Sequence, residues 1–187
     1  MALQAHVGLR PSEMLGLTTD DLTFPEDGGY HQDEGALVIG LGLKTGTKAK
    51  RAQAVSLRYP KDAVFIHLLR HLRSITPPGQ RLFPYSLEVY RRELAEIQKG
   101  FGLDTRWTPH SPRAGYASEA SALGVPFEVI RETGRWRMDS NLRIYIDVVS
   151  AAQISTALRL KGFEAALAWA GRHWAWYIVQ ALARHGA

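Results

Sequence analysis

The chain has 187 residues, with 23 Lys and Arg against 18 Asp and Glu, a formal net charge of +5 and a pI near 9.6. This length is typical of a single domain with its own core, and the positive excess favours a polyanionic partner if it is concentrated on one face. Cysteine is absent, which excludes disulfides, cysteine-based zinc sites and thiol redox chemistry. The sequence shows no charged-then-apolar signal pattern at its start.

The first predicted elements are a helix that leads into Arg10 and a second helix that begins near Pro11, a residue suited to a first helical turn. Glu13 follows Arg10 by three residues, which places both on one face of a helix. We expect Glu13 to orient a guanidinium or a neighbouring histidine. An ordinary acid on the helix surface is the alternative.

A β-hairpin is predicted next, with strands over residues 36–43 and 52–57. Its turn is long and basic, and it contains Lys44, Lys48, Lys50 and Arg51. A solvated turn that only contacts phosphates is one interpretation of this cluster. Helices are then predicted over residues 63–73 and 86–99, so the fold class is α+β, mostly α-helical, with a small antiparallel sheet.

A further helix is predicted to start in Pro109-His110-Ser111-Pro112-Arg113, with Ser111 as N-cap and Pro112 as first helical residue. Arg113 then lies in the first turn, beside His110. A helix start with a guanidinium and an imidazole is suited to bind an anion such as phosphate. A surface His and Arg near a helix cap is the alternative.

The last predicted helices of this region span residues 125–133, ended by Gly134, and residues 140–149, which carry Tyr145. Trp136 lies between them and precedes Tyr145 by nine residues. Taken alone, Tyr145 is more typical of a core residue with its hydroxyl at the surface. The segment is also basic, with Arg135, Arg137 and Arg143.

Taken together, these segments resemble the catalytic domain of the tyrosine recombinases, or phage-type integrases, over roughly residues 2–150. Gly8-Leu9-Arg10-Pro11-Ser12-Glu13-Met14-Leu15-Gly16-Leu17, followed by Asp20-Asp21-Leu22, resembles the first arginine box of that family. His110-x-x-Arg113 resembles the second box, Gly134-Arg135-Trp136 the box that holds His or Trp, and Arg143-Ile144-Tyr145 the nucleophile box. The Gly-Arg-Trp form is similar to that of some eukaryotic mobile elements.

The resemblance implies a specific set of functional residues. The implied catalytic residues are Arg10, Lys44, His110, Arg113, Trp136 and Tyr145, with Glu13 supporting them. The implied DNA-binding residues are Lys48, Lys50, Arg51, Arg135, Arg137 and Arg143. Lys44 would be the general acid for the leaving oxygen, although Lys48 and Lys50 stay open for this role.

The resemblance further implies a site-specific recombinase that cleaves and rejoins double-stranded DNA through a 3′-phosphotyrosyl intermediate. Fixed arginines, a histidine and an indole N–H can neutralise a pentavalent phosphate without a metal or other cofactor, and a phenol conserves the energy of the broken bond as an ester. Other protomers would join it in a tetrameric synapse. It would act wherever the DNA is and make no membrane contact.

The resemblance places the catalytic domain at residues 1–150, without the N-terminal helix and core-binding domain that family members usually carry. Residues 151–187 are predicted to form an aromatic helical tail that docks either on its own core or on a neighbouring protomer. Charged residues interrupt it too often for it to span a bilayer. Two other functions stay open. One is a catalytically inactive DNA-binding remnant, and the other is an enzyme similar to type IB topoisomerases, which relax DNA.

Overall fold

The structure is a computed structural model that describes residues 2–27, 37–42, 53–58, 60–100, 102, 107–146, 156 and 162. The chain forms two compact units, of which the first comprises Met1–Leu15 and Tyr85–Gly162. The described part of the second unit lies within Gly16–Pro84. Among the described residues, no helix is long and apolar enough to cross a membrane.

Helices make up most of the regular structure, including two short 3₁₀ helices at Thr19–Asp21 and Pro25–Asp27. In chain order, the other elements are α1 (Ala2–Val7), α2 (Pro11–Gly16), β1 (Leu22–Thr23), β2 (Leu37–Gly42), β3 (Gln53–Leu57), α3 (Ala63–Ile75), α4 (Leu87–Gly100), α5 (Ser111–Ala122), α6 (Phe127–Thr133) and α7 (Asp139–Tyr145). The predicted fold class, mostly helical with a small antiparallel sheet, is confirmed.

The second unit contains the sheet, which has three antiparallel strands in the order β1-β2-β3. The predicted hairpin is β2 paired with β3, with Ile39 opposite Val55, and both side chains are buried. The third strand, β1, was not predicted, and it pairs Leu22 with Ile39. Two residues are too few to show the alternation of apolar and polar side chains that reveals a strand.

The core of the first unit lies between α5, α6 and α7. Its buried residues are Ala117, Ile130, Trp136 and Leu142. Because α6 and α7 are each only seven residues long, they would not be stable alone, and burial of these apolar side chains holds them against α5. This core therefore fixes where the two short helices place their polar residues.

A buried polar network joins α1, α4 and the turn before α5. The Tyr90 hydroxyl donates to Oε1 of Gln4 over 2.6 Å, and Nε2 of Gln4 donates to the Pro109 carbonyl over 2.8 Å. Gln4 is fully buried, so both halves of its amide depend on these partners. The network fixes the backbone immediately before His110.

The start of α5 differs from the sequence-based prediction in its capping. His110, not Ser111, is the N-cap residue, and the helix begins at Ser111. The Ser111 hydroxyl instead accepts a hydrogen bond from the Thr108 N–H over 2.9 Å, which stabilises the preceding turn. Arg113 still lies in the first turn of the helix, as predicted.

Candidate active site

Arg113 is fixed in the interior of the first unit and is only 3% exposed. One terminal amino group donates to the Gly8 carbonyl and the other donates to the Gly134 carbonyl. The guanidinium carbon also lies 4.1 Å from the centre of the Trp136 ring, within the range of a cation–π contact. Two backbone carbonyls and an indole face therefore determine the orientation of this arginine.

The approach of Gly8 to α5 depends on its being glycine. Its φ of +63° is in the left-handed region, and a Cβ at this position would lie 2.8 Å from the Tyr116 ring. A larger residue would push the segment away from the helix. Gly8 therefore brings its carbonyl oxygen within reach of Arg113.

Arg10 is held by Glu13, as the spacing predicts. Its Nη1 donates to Oε1 of Glu13 over 2.5 Å, and its backbone N–H donates to Oε2 over 2.6 Å. The Glu13 side chain is fully buried, whereas that of Arg10 is 30% exposed. Arg10 therefore presents part of its guanidinium to the exterior while its other side is anchored.

Arg135 is a second partner of the same carboxylate. Its Nη2 donates to Oε2 of Glu13 over 2.6 Å, and its side chain is 7% exposed. Its carbonyl oxygen accepts a hydrogen bond from Nη2 of Arg10 over 3.1 Å. Arg135 thus contacts Arg10 both through Glu13 and directly.

In the part of the chain that the structure describes, this site carries more positive than negative charge. Arg10 and Arg135 donate to the Glu13 carboxylate, and Arg113 lies close enough to interact with its charge. Burial alone would raise the pKa of Glu13, but Arg135, and then the backbone N–H and guanidinium of Arg10, bring it below its ordinary value. Burial, with Arg10 and Arg135 beside it, lowers the pKa of Arg113 to about 9. The surplus positive charge would be stabilised by an anion.

His110 lies at the N-cap of α5, on the exposed side of the site. Partial burial lowers the pKa of His110, and the charges of Arg113 and Arg10 lower it further. The imidazole is therefore neutral at pH 7, so one ring nitrogen donates and the other accepts. A bound anion would oppose the two guanidinium charges and raise this pKa.

Three aromatic rings lie beside Arg113. Trp136 stacks on Tyr116 with ring centres 6.5 Å apart and planes 7° from parallel, and it meets Tyr145 at 5.8 Å with a tilt of 47°. Gly134 packs so closely that a Cβ there would fall 1.7 Å from the indole. Trp136 is therefore part of the core as well as of the site.

Tyr145 is the last residue of α7 and is half-buried. Its carbonyl oxygen accepts a hydrogen bond from the Ser118 hydroxyl over 2.6 Å, and Leu142, one turn earlier, is fully buried. Side-chain packing and this hydrogen bond fix the end of α7 on α5. The phenol is consequently held near Trp136.

The described residues bring together Arg10, Glu13, Arg113, Trp136 and Tyr145 in one unit, with His110 at the helix start next to them. Arg137 and Arg143 are exposed, and the Arg143 guanidinium lies 4.9 Å from the Phe127 ring centre. Lys44, Lys48, Lys50, Arg51 and the aromatic tail lie outside the described residues, and their roles stay predictions.

Sequence reasoning missed the groups that hold the predicted residues in place. These are the carbonyls of Gly8 and Gly134, the Ser118 hydroxyl and the Tyr116 ring. The glycines in Gly8-Leu9-Arg10 and Gly134-Arg135-Trp136 were the available signal, because each allows a close approach of the backbone. Backbone carbonyls leave no pattern of their own in a sequence.

Comparison with known proteins finds likeness at the level of the fold. The chain is similar to the crystal structure of XerA recombinase, with a TM-score of 0.57 and 16% identity over 84% of this chain and 53% of that one. It is also similar to XerH site-specific recombinase bound to palindromic difH substrate, a post-cleavage complex, with a TM-score of 0.56 and 17% identity over 84% of this chain and 43% of that one. The chain thus spans about half the length of these tyrosine recombinases. No family model matches, and no curated protein matches the sequence.

Proposed function

We propose that this chain is the catalytic domain of a site-specific tyrosine recombinase that cleaves and rejoins double-stranded DNA through a 3′-phosphotyrosyl intermediate. One observation carries the proposal: the Tyr145 ring contacts the Trp136 ring on which Arg113 stacks, beside Arg10 and Arg135, which both donate to the Glu13 carboxylate. Such a cluster suits a phosphodiester, because its fixed donors can stabilise the charge that develops on the phosphate. The tyrosine recombinase fold supports the same assignment.

In the proposed reaction, the Tyr145 oxygen attacks the scissile phosphorus and displaces the 5′-oxygen of the next nucleotide. The phenol loses its proton to solvent water, the P–O bond to the 5′-oxygen breaks, and that oxygen takes up a proton. Arg10 and the neutral His110 would donate to the non-bridging oxygens. Lys44 would supply the proton to the leaving oxygen, an assignment that rests on the sequence resemblance alone.

Tyr145 is favoured over the other described tyrosines. Burial raises the pKa of Tyr116, although Thr133, Arg135 and Arg113 act in the opposite direction, so its phenol is harder to ionise. Burial raises the pKa of Tyr90 to about 12, and its hydroxyl already donates to Gln4. Among the described tyrosines, only Tyr145 combines a position at a helix end with contact to the Trp136 ring.

A pool of nicked suicide duplexes with randomised sequence tests the proposal without knowledge of the target site. Cleavage next to the nick releases a short strand, so resealing is lost and the covalent adduct accumulates. We expect the wild-type chain to give a protein–DNA band that survives denaturing electrophoresis, and Tyr145→Phe to give none while it binds the pool with similar affinity. An equal band from both proteins would contradict the proposal.

A second candidate is a catalytically inactive DNA-binding domain, and the burial of Arg113 favours it. Because both terminal amino groups of Arg113 already donate to carbonyls, the side chain has fewer donors left for a phosphate. This candidate predicts binding to the pool without any covalent band.

The proposal also covers how the chain assembles on DNA and from which kind of element it comes. A tetrameric synapse on DNA predicts strand exchange between two duplexes, whereas an enzyme similar to type IB topoisomerases would relax a supercoiled plasmid without exchange. The Gly134-Arg135-Trp136 segment further suggests a relative from a eukaryotic mobile element. The site of action would be wherever the DNA is.

A further inference from the structure

Arg135 occupies an unusual place for a basic residue in a DNA-binding segment, since its side chain points into the first unit. We propose that Arg135 is a positioning residue that sets the orientation of the Arg10 guanidinium, through Glu13 and through its own carbonyl oxygen. The inference deepens the proposed function and rests on it, because it takes Arg10 as a contact of the scissile phosphate.

The Glu13 carboxylate is shared between two arginines. Oε1 accepts from Nη1 of Arg10, and Oε2 accepts from Nη2 of Arg135. A free carboxylate tends to bind one arginine with both oxygens, which engages two donors of the same guanidinium. Oε2 also accepts from the Arg10 backbone N–H, so this N–H and Arg135 occupy the oxygen that a second donor of the Arg10 guanidinium would need. The remaining donors of Arg10 stay available in a fixed direction.

The backbone of Arg135 also contributes to the contact with Arg10. Arg135 has a φ of +59°, the one positive φ at a non-glycine position among the described residues. This conformation costs a residue with a Cβ about 1 kcal/mol. It accompanies a peptide orientation in which the Arg135 carbonyl accepts from Nη2 of Arg10 over 3.1 Å.

The Arg135 side chain has little exposed surface with which to contact DNA. The Arg135 side chain is nearly buried, and its Nε atom has no hydrogen-bond partner among the described residues. By contrast, Arg137, two residues later, is exposed. An interior cation with an unsatisfied donor is costly and serves poorly as a direct contact to a duplex. Its guanidinium instead donates to Glu13, which holds Arg10, and to the carbonyls of Thr133 and Gly8.

The test uses Arg135→Gly, because glycine adopts the positive φ freely and so removes the guanidinium without the backbone strain. Arg135→Lys retains the charge without the planar fork, and Arg92→Ala, on the exposed face of α4, removes one positive charge elsewhere. The first measurement is the NMR order parameter of the Arg10 Nε–Hε bond. We expect it to fall in Arg135→Gly, to be intermediate in Arg135→Lys and to be unchanged in Arg92→Ala.

The second measurement separates positioning from binding. In the nicked-duplex assay, we expect Arg135→Gly to form adducts roughly tenfold more slowly at saturating DNA, with an affinity within about twofold of wild type, because a misplaced donor mainly affects the transition state. We expect Arg135→Lys to recover part of the rate.

The proposed function and the positioning role of Arg135 can be disproved independently of each other. If the wild-type chain forms no adduct, the proposed function fails, and the order parameter of Arg10 still decides the role of Arg135. An unchanged order parameter in a folded Arg135→Gly would overturn the inference. Should Arg135→Gly not fold, the comparison of Arg135→Lys with wild type decides: an unchanged order parameter overturns the inference, and a lowered one supports it.

Discussion

Glu13 is the residue on which the charge balance of the site depends. Its carboxylate accepts hydrogen bonds from Arg10 and Arg135, and its side chain has no exposed surface. A buried carboxylate without partners would be strongly destabilising, and so would the nearly buried guanidinium of Arg135 without the carboxylate. The ion pairs are therefore a structural requirement of the site as well as a means of orienting Arg10.

We predict that Glu13→Gln lowers the free energy of unfolding by about 3 kcal/mol, because it leaves the arginine cluster without its counter-charge. The measurement is urea denaturation followed by circular dichroism. Glu128→Gln is the matched control, since Glu128 forms an exposed ion pair with Arg131 and should contribute less than about 0.5 kcal/mol. Equal losses of unfolding free energy in the two variants would show that the buried Glu13 contacts stabilise the fold no more than the exposed Glu128 ion pair does.

The pKa of His110 reports the charge of the site. The pKa of His110 is lower in the folded chain than its ordinary value of 6.5, so the unfolded chain takes up a proton first as the pH falls. The free energy of unfolding therefore decreases as the pH falls from 6.5 through the folded pKa. We predict that Arg10→Ala and added dimethyl phosphate each raise the His110 pKa in an NMR titration, since each reduces the nearby positive charge. Arg92→Ala should leave the titration curve in place. A His110 pKa that does not respond to either change would remove His110 from the anion site.

Gly134 is predicted to be irreplaceable for steric reasons. A Cβ at this position would overlap the Trp136 ring at 1.7 Å, so Gly134→Ala must displace the indole on which Arg113 stacks. We expect the free energy of unfolding of Gly134→Ala to fall by roughly 1–3 kcal/mol, a range typical of overpacking. Gly115→Ala is the control, because nothing lies within 4 Å of its would-be Cβ in α5, and it should stabilise by about 0.5–1 kcal/mol. Thermal unfolding of both variants checks the prediction.

At the scale of elements, α7 holds the proposed nucleophile through one face only. Leu142 is fully buried, whereas Ile144, two residues later, is 74% exposed. We predict that Leu142→Ala lowers the free energy of unfolding by about 2–5 kcal/mol, as measured by urea denaturation. Ile144→Ala should change it by less than about 0.5 kcal/mol. Leu142→Ala should also increase amide hydrogen exchange in α7. Similar costs for both substitutions would mean that α7 does not pack as described.

The sequence predicted the longer elements better than the short ones. The apolar periodicity of α3 and α4 gave their positions to within two residues. Of the short helices, α6 begins at Phe127, two residues after its predicted start, because Pro126 is its N-cap. The prediction for α7 was wrong at its end, because the helix stops at Tyr145, four residues before the predicted end. Helices of seven residues and strands of two depend on tertiary packing, so they leave little periodicity to detect.

The sequence indicated which residues belong to the candidate site, but it did not indicate all the contacts between them. The Arg10–Glu13 pair follows from a spacing of three residues, so the sequence could indicate it. The Arg135–Glu13 pair joins residues 122 positions apart, and the sequence showed only a basic residue beside Trp136. Contacts of this kind depend on how α2 and α6 are packed, which a single sequence does not encode in any local pattern.

At the scale of the whole molecule, the net positive charge is compatible with the proposed polyanionic partner. The net charge of +5 is modest, and the surplus in the described part of the chain includes the buried arginine cluster as well as exposed residues such as Arg137 and Arg143. Nonspecific attraction to DNA scales with the phosphates that are neutralised, so a modest surface charge favours weak, salt-sensitive binding. Covalent capture therefore tests the account better than affinity does.

The most direct test of the central claim is to identify the tyrosine that becomes attached to DNA. Adducts formed on the nicked duplex pool are digested with nuclease and protease, and the peptide that retains a nucleotide is sequenced by mass spectrometry. The account predicts a 3′-linked nucleotide on Tyr145, with none on Tyr116 or Tyr90. A nucleotide on any other tyrosine, or an adduct that persists in Tyr145→Phe, would contradict it.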